Sequence, residues 1–174
     1  MSNIKQIILS NTKNEKRKIV NSESWEKNIR NMNYERQIEI LRNIGTEENN
    51  MEIEKLIKKN ILTKIQGYKN QDQKKKILNK DKIVQLNDVL QLLNTSGLCC
   101  YYCKKHTSIF YENVKDETQW TLDRLDNKCG HNTENVVISC LSCNLKRKTM
   151  HFKRFEFTKQ LQIIKNEDDQ SDIK

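Results

Sequence analysis

Apolar residues recur at helical spacing through the first half of the chain. One set lies between Ser24, a candidate helix N-cap, and Gly45, and a second begins at Met51 and stops at Gly67. A polar connection at residues 70–76 separates the second set from a third, which ends near Gly97. The pattern therefore predicts three helices. Their apolar positions are Trp25, Ile29, Met32, Ile38, Leu41 and Ile44, then Met51, Ile53, Leu56, Ile57, Ile61, Leu62 and Ile65, then Leu86, Val89, Leu90 and Leu93.

The pattern changes after Gly97 to short runs of β-branched and aromatic residues. Residues 108–114 (SIFYENV), 118–125 (TQWTLDRL) and 135–140 (NVVISC) are typical of strands, and the last two flank a loop at 126–134. Residues 142–155 (SCNLKRKTMHFKRF) predict a helix. The chain is therefore expected to fold as an α+β protein whose N-terminal part, residues 1–95, is mainly helical.

Charge narrows the class of partner. The 174 residues are enough for one domain, or one small domain with an extension, and the net charge is +9. Lys and Arg number 19 against 12 Asp and Glu in residues 1–95, and seven against one in residues 144–165. Such an excess of basic residues is typical of proteins that bind a polyanion such as nucleic acid. The Lys-rich helix faces could equally be solvated surface.

The first residues do not form a secretory leader, and the apolar run IIL at 7–9 is too short to span a bilayer. A soluble intracellular protein of the cytoplasm or nucleus, without a membrane partner, is therefore expected. Thiols stay reduced there, so the six cysteines favour metal binding over disulfides. The abundance of Lys, Asn and Ile favours AT-rich coding DNA, as in a phage, a large DNA virus or a mobile element.

Two C-x-x-C knuckles carry the metal prediction. Each knuckle places two thiolates on one tight turn, and two knuckles complete a tetrahedral four-sulfur shell suited to a structural Zn²⁺. The alternative is a set of buried, reduced thiols that act as small hydrophobic residues. Cys99 could exchange with its neighbour as a ligand, and Cys129 is a spectator in the loop. The four predicted ligands are Cys100, Cys103, Cys140 and Cys143.

A second site is expected from oxygen ligands. Asp123 ends one predicted strand, and Asn144 follows the second knuckle on the first turn of a helix. If the two strands pair and the helix folds back across them, these side chains converge. One carboxylate and one amide oxygen suit Mg²⁺ or Mn²⁺, which keeps waters and takes further ligands from phosphate. The alternative is a zinc-stabilised binding module in which Asp123 only caps a turn.

The stretch LDRLDNKCGHNTENVVISCLSCNLKRK, preceded by CYYC, resembles the HNH endonucleases, whose ββα-metal fold is often braced by a four-cysteine zinc. The resemblance covers roughly residues 96–152. It implies that Asp123 and Asn144 hold the catalytic metal ion, and that Asn135 fixes the long loop through backbone hydrogen bonds. It also implies an HNH nuclease domain, which we place at residues 96–165. The charges of residues 166–174 indicate an acidic tail after it.

The departure from the family lies at Arg124, where a His usually serves as general base. Arginine stays protonated, so it cannot take a proton, but it can bind a phosphate and stabilise negative charge. Some members of the family have Asp-Arg at this point. His131 is then one candidate base, and Tyr111, His106 or an unassisted metal-bound water are the others. Further contacts with backbone phosphates are expected from Lys146, Arg147 and Lys148.

The resemblance implies a metal-dependent DNA endonuclease or nickase with a structural Zn²⁺ and a catalytic Mg²⁺ or Mn²⁺. Two alternatives remain from other classes. One is a non-catalytic, zinc-stabilised nucleic-acid-binding protein derived from the same fold. The other is an RNA-binding zinc protein that stacks bases on Tyr101 or Tyr102.

Overall fold

The computed structural model describes residues 32–46 and 51–161. These residues form an α+β fold with a two-stranded antiparallel sheet, as predicted. Within the same residues, no helix has the length and apolar character needed to cross a membrane. The elements are α1 (Tyr34–Arg42), α2 (Met51–Lys74), α3 (Leu86–Thr95), β1 (Trp120–Arg124), a 3₁₀ turn (Thr133–Asn135), β2 (Val136–Cys140), α4 (Leu141–Arg147) and α5 (Phe152–Gln160).

One hydrophobic core joins the helices to the sheet. Trp120 is fully buried at the start of β1, and the apolar faces of α2 and α3 pack in the same cluster. Burying one Leu, Ile or aromatic side chain contributes about 1.5–3 kcal/mol, so this shared cluster is the main source of cohesion between the helices and the strands. Its central members are Ile57, Ile61, Val89, Leu93, Leu122 and Ile138.

The two strands pair in the register that sets the geometry of the site. Trp120 lies opposite Cys140, and Arg124 lies opposite Val136. Both strands were predicted from the sequence and are confirmed. All five residues of β1 are buried, including Asp123, because the strand is covered on both faces and along its free edge.

Helix α2 covers the free edge of β1 with a stripe of polar side chains. Lys64 Nζ donates to the carbonyl of Trp120 at 2.5 Å, and the hydroxyl of Tyr68 accepts from the backbone N–H of Leu122 at 2.9 Å. Four helical residues rise about 6 Å, nearly the length of two residues in a strand. The helix therefore stays in register with alternate strand residues and satisfies backbone groups that an open edge would leave unpaired.

This stripe explains why α2 is longer than predicted. The sequence pattern ended the helix at Gly67 and made residues 70–76 a polar connection, which is wrong, since the helix continues to Lys74. Tyr68 and Asp72 are both buried on the face already occupied by Ile57 and Ile61. Polar residues on a buried helical face were therefore mistaken for the end of the helix.

The segment before β1 and the start of the first predicted helix also differ from the prediction. Residues 108–114 do not form a strand, because Ser108 makes only an isolated bridge with Gln119, and Gln37 Oε1 of α1 accepts from the N–H of Ile109 at 2.8 Å. A helical side chain thus replaces the partner strand. Within the described residues, the first of the predicted helices begins at Tyr34 after an extended N-cap, Asn33, whereas Ser24, its predicted cap, lies outside those residues.

The predicted helix at residues 142–155 is divided into two. Helix α4 ends at Arg147, and Lys148 adopts a left-handed φ of 51° that stops it. The chain then turns, so that Phe155 of α5 packs edge-on against Tyr102 with ring centroids 5.0 Å apart. One straight helix would not bring Phe155 back to the cysteines beside Tyr102. The predicted third helix, by contrast, is confirmed as α3.

Candidate metal centre and candidate active site

The four predicted zinc ligands come together. The sulfur atoms of Cys100, Cys103, Cys140 and Cys143 all lie within 4.8 Å of one another, and those of Cys103 and Cys140 are 3.9 Å apart. In a tetrahedral ZnS₄ centre with bonds of about 2.3 Å, the sulfurs are about 3.8 Å apart. The cluster therefore has the ligand number and spacing to hold a metal ion such as Zn²⁺.

Local turns and a helix end build the cluster. The first knuckle is closed by backbone bonds from Cys100 N to Lys105 O and from Lys104 N to Cys100 O. The second knuckle opens α4, with Cys140 as its N-cap. Cys99 lies outside the cluster, with its sulfur 3.7 Å from the hydroxyl of Tyr34, and Cys129 is exposed. Tyr102, Phe155 and the partly buried Tyr101, Val137 and Phe152 surround the cluster.

A cavity of about 690 Å³ opens beside β1, between α2 and α4. Four of the predicted catalytic residues line it, namely Asp123, Arg124, His131 and Asn144. Asn135, the fifth, does not. The other lining residues are Lys64, Gly67, Tyr68, Gln71, Lys75, Tyr111, Gln119, Thr121, Leu122, Asn127, Leu141, Leu145, Arg147 and Lys148.

Asp123 is buried and bound to a cation of the chain itself. Its Oδ2 accepts from Arg147 Nε at 2.5 Å and from the hydroxyl of Tyr102 at 2.7 Å, and its Oδ1 accepts from Arg147 Nη2 at 2.8 Å. Burial by itself lowers the pKa of Arg147, but the hydrogen bonds and charge of Asp123 raise it above its ordinary value. This pair is a bidentate, charge-assisted contact.

This contact corrects the prediction that Arg147 binds a backbone phosphate. Arg147 is only 2% exposed, and it also donates to the carbonyls of Met150 and Arg124 and to Asn127 Oδ1. Lys146 and Lys148 are exposed on either side of it. The basic run Lys146–Arg147–Lys148 therefore consists of two surface cations and one buried structural cation.

Asn144 turns its carbonyl oxygen away from the sheet. Its Nδ2 donates to Thr121 Oγ1 at 3.0 Å and to the carbonyl of Leu122 at 3.2 Å. Its Oδ1 therefore remains as a ligand atom, and Asp123 Oδ1, with one hydrogen bond from Arg147, keeps acceptor capacity. Two hard oxygens of this kind fit a divalent ion that takes its other ligands from water and phosphate. Arg147 is a competing cation on the same carboxylate.

Asn135 and Arg124 hold the loop between the strands. Asn135 Nδ2 donates to the carbonyls of Asp126 and Gly130, both at 2.9 Å, and its Oδ1 accepts from Asp126 N at 2.9 Å. Arg124 Nη1 donates to two loop carbonyls, those of Asn127 and Cys129. The side chain of Arg124 is 9% exposed, and its guanidinium is bound to the loop rather than presented on the surface as a phosphate clamp.

His131 is fixed by a carboxylate that the sequence did not indicate. Asp72 of α2 accepts from the backbone N–H of His131 at 2.6 Å and bonds the ring Nδ1 at 2.8 Å, while the ring stacks on Tyr68. Burial lowers the pKa of His131 from its ordinary value, although the charge of Asp72 acts in the opposite direction. The net lowering favours the neutral form of the imidazole.

Lys64 was also missed. Its amine contacts the rings of Tyr111 and Trp120, at 5.1 and 4.5 Å from the centroids, and burial lowers its pKa to about 7. Burial raises the pKa of Tyr111 to about 12. The third protein candidate for a base, His106, does not line the cavity and instead stacks on Tyr34 with ring centroids 3.4 Å apart. One sequence pattern could have indicated these residues. Lys64, Tyr68 and Asp72 are spaced i, i+4, i+8 and continue the apolar stripe of Ile57 and Ile61 on α2.

Comparisons with known proteins do not identify a family for this chain. No protein-family model matches it, and neither does a curated protein or a solved structure. A functional assignment therefore depends on the residues and the geometry described above.

Proposed function

We propose that this protein is a metal-dependent DNA endonuclease or nickase of the HNH type that hydrolyses phosphodiester bonds with one Mg²⁺ or Mn²⁺. The observation that carries the proposal is the meeting of Asp123 and Asn144 in one cationic cavity, on two strands and a helix whose first turn is tied to a four-cysteine cluster. The order β1, β2, α4 agrees with a ββα core.

The charge of the cavity suits a phosphodiester. Lys64, Lys75, Arg124 and Lys148 line it, whereas the carboxylate of Asp123 is already neutralised by Arg147. A polyanion approaching this wall meets a net positive field, and the exposed Lys146 extends that field beside α4. Lys75 and Lys148 would position the backbone on either side of the reacting phosphate.

In the proposed reaction a water oxygen attacks phosphorus, the P–O3′ bond breaks, and the products are a 5′-phosphate and a 3′-hydroxyl. Asp123 and Asn144 would hold the divalent ion, which supplies positive charge next to the phosphate oxygens and the departing 3′ oxygen. Arg147 and Tyr102 keep the carboxylate of Asp123 in place. The attacking water loses one proton to a basic group of the cavity wall, and the 3′ oxygen gains one from solvent.

The position of Arg147 also affects how tightly the divalent ion should bind. A divalent ion bound to Asp123 would be repelled by the positive charge of Arg147, which binds the same carboxylate. The negative charge of a phosphodiester in the cavity would offset this repulsion. Mg²⁺ should therefore bind the free protein weakly and the DNA complex more tightly.

The guanidinium of Arg147 also supports one competing function. If Arg147 fully satisfies Asp123, the fold is a zinc-stabilised nucleic-acid-binding module without catalytic metal.

The test is conversion of supercoiled plasmid by zinc-loaded protein, with Mg²⁺ or Mn²⁺ added and with chelated divalent ions as the control. The proposal expects open-circle or linear product only in the presence of added metal. DNA binding without conversion, across several metals, pH values and DNA forms, would contradict it and support the binding module.

A further inference from the structure

We propose that Asp72 positions the imidazole of His131 as the base that takes the proton from the attacking water. The proposal deepens the endonuclease function and rests on it. It would make α2, which lies outside the predicted nuclease domain, a part of the active site. His131 would be the catalytic residue, and Asp72, which acts through it, a positioning residue.

The ring of His131 is held in a fixed orientation. One oxygen of Asp72 bonds His131 Nδ1 at 2.8 Å, and the other accepts the backbone N–H of the same residue at 2.6 Å. The ring stacks on Tyr68 at 4.4 Å between centroids. A neutral imidazole that donates its Nδ1–H to a carboxylate keeps the lone pair on Nε2. That tautomer is the one a general base needs.

Close packing of the loop on α2 holds Asp72 against the residue before His131. Asp72 is 1% exposed, and its carboxylate lies against the loop residue Gly130. A Cβ at Gly130 would lie 2.8 Å from Asp72 Oδ2 and 2.8 Å from the carbonyl of Ile77. The loop thus approaches α2 as closely as it does because residue 130 lacks a side chain. The contact between Asp72 and His131 is part of the packing of the loop on the helix.

His131 is also in the right place. His131 lines the same cavity as Asp123 and Asn144. The other cavity groups are less suitable bases, since Arg124 stays protonated and burial raises the pKa of Tyr111 to about 12. Lys64 is the one rival, because burial lowers its pKa to about 7, but its amine is bound to Trp120 O and Gln119 Oε1.

Charges around the ring set the direction of its pH response. Asp72 and Lys75 face it from α2 and Arg124 faces it from β1, and Tyr68 of α2 stacks on it. Burial lowers the pKa of His131 most, Asp72 raises it, and both cations lower it. Cleavage should therefore rise with pH through a pKa below 6.5. Removal of the charge of Asp72 should lower that pKa further and weaken the base.

The experiment combines ¹⁵N NMR of the His131 ring with the pH dependence of plasmid cleavage, in zinc-loaded wild type and variants. In the wild type we expect the Nδ1–H tautomer and a ring pKa equal to that of the acidic limb of the cleavage rate. In Asp72→Asn both values should move to lower pH together, with a fall in the plateau rate of at least tenfold. His131→Gln should lose at least a hundredfold. Asp81→Asn, at an exposed aspartate, is the matched control and should behave as the wild type.

The outcomes separate this inference from the function beneath it. Cleavage at the wild-type rate by folded His131→Gln would overturn the role of both residues and leave the endonuclease intact. So would an acidic limb that does not move with the NMR pKa in Asp72→Asn. If the limb moved in Lys64→Met instead, Lys64 would be the base and the inference would be wrong. Absence of cleavage by the wild type would overturn the function and the inference together.

Discussion

The cysteine cluster and the cavity beside β1 are both built around α4, but they are held together differently. In the cluster, four thiols converge among aromatic side chains, and a metal ion would supply the attraction. In the cavity, the chain supplies the partners itself: Arg147 forms an ion pair with Asp123, and His131 is hydrogen-bonded to Asp72. We therefore expect the stability of the cluster to depend on a bound ion, and the side chains of the cavity to be held in place by their own hydrogen bonds.

The largest effect is expected from the cluster. Cys143→Ser removes one of four ligands, and structural zinc sites contribute on the order of 10 kcal/mol to folding, more than the net stability of many domains. The variant should lose its zinc and the thermal unfolding transition of the sheet region. Metal analysis and circular dichroism measure both. Cys129→Ser, in the exposed loop, is the control, and an equal loss there would contradict the assignment of ligands.

The cavity should respond more moderately when the ion pair between Asp123 and Arg147 is broken. Asp123→Ala leaves Arg147 buried without its carboxylate, which costs about 3–5 kcal/mol of unfolding free energy. Urea denaturation measures the loss. The double variant Asp123→Ala with Arg147→Met removes both charges and should recover a large part of it. If both proteins were equally destabilised, the pair would not be the cause.

Lys64 should make stability depend on pH in a defined direction. Its folded pKa of about 7 lies below its ordinary value of 10.5, so between these pH values the unfolded chain binds more protons than the folded one. The penalty of burying the amine is complete below pH 7 and is relieved as pH rises toward 10. Relative to Lys64→Met, the wild type should gain stability over that window. A constant difference from pH 6 to 10 would contradict the lowered pKa.

The smallest effect is expected at the exposed lysines of α4 and its end. Lys146→Ala and Lys148→Ala should each weaken DNA binding and reduce the slope of log K against log salt by about one. The fold should remain unchanged, since both side chains are exposed. Measuring the slope between 50 and 200 mM salt tests this. Slopes equal to the wild-type value would remove both lysines from the interface.

The comparison also explains what could be predicted from the sequence. The knuckles, both strands and α3 are local patterns in which spacing alone fixes geometry, so they were predicted correctly. The site partners of the cavity are distant: Asp72 and His131 are 59 residues apart, and Tyr68 bonds Leu122 across 54 residues. No local period encodes such a contact. The sequence pattern predicts a surface connection at the end of α2 because periodicity detects hydrophobic residues. It does not detect polar residues that are buried with distant hydrogen-bond partners.

Arg147 shows the same limit from the other direction. In the sequence it belongs to a basic run, Lys146–Arg147–Lys148, that indicates phosphate contact. In the structure, Arg147 lies one helical turn after Asn144, on the same face of α4. It therefore points inward, where it binds Asp123. Which of three consecutive cations is buried depends on where the strand places its carboxylate. That information lies in the packing of α4 on β1.

The most direct test of the account is the cleavage activity of Asn144→Ala, measured together with its zinc content. Asn144 is half-buried, and its side-chain amide donates hydrogen bonds to Thr121 and Leu122. The variant should therefore fold and keep one zinc per chain. Asn94→Ala, on α3 outside the cavity, is the matched control. The account predicts that Asn144→Ala retains zinc and loses metal-dependent cleavage of plasmid DNA, while Asn94→Ala retains both. Undiminished cleavage by zinc-loaded Asn144→Ala would contradict it.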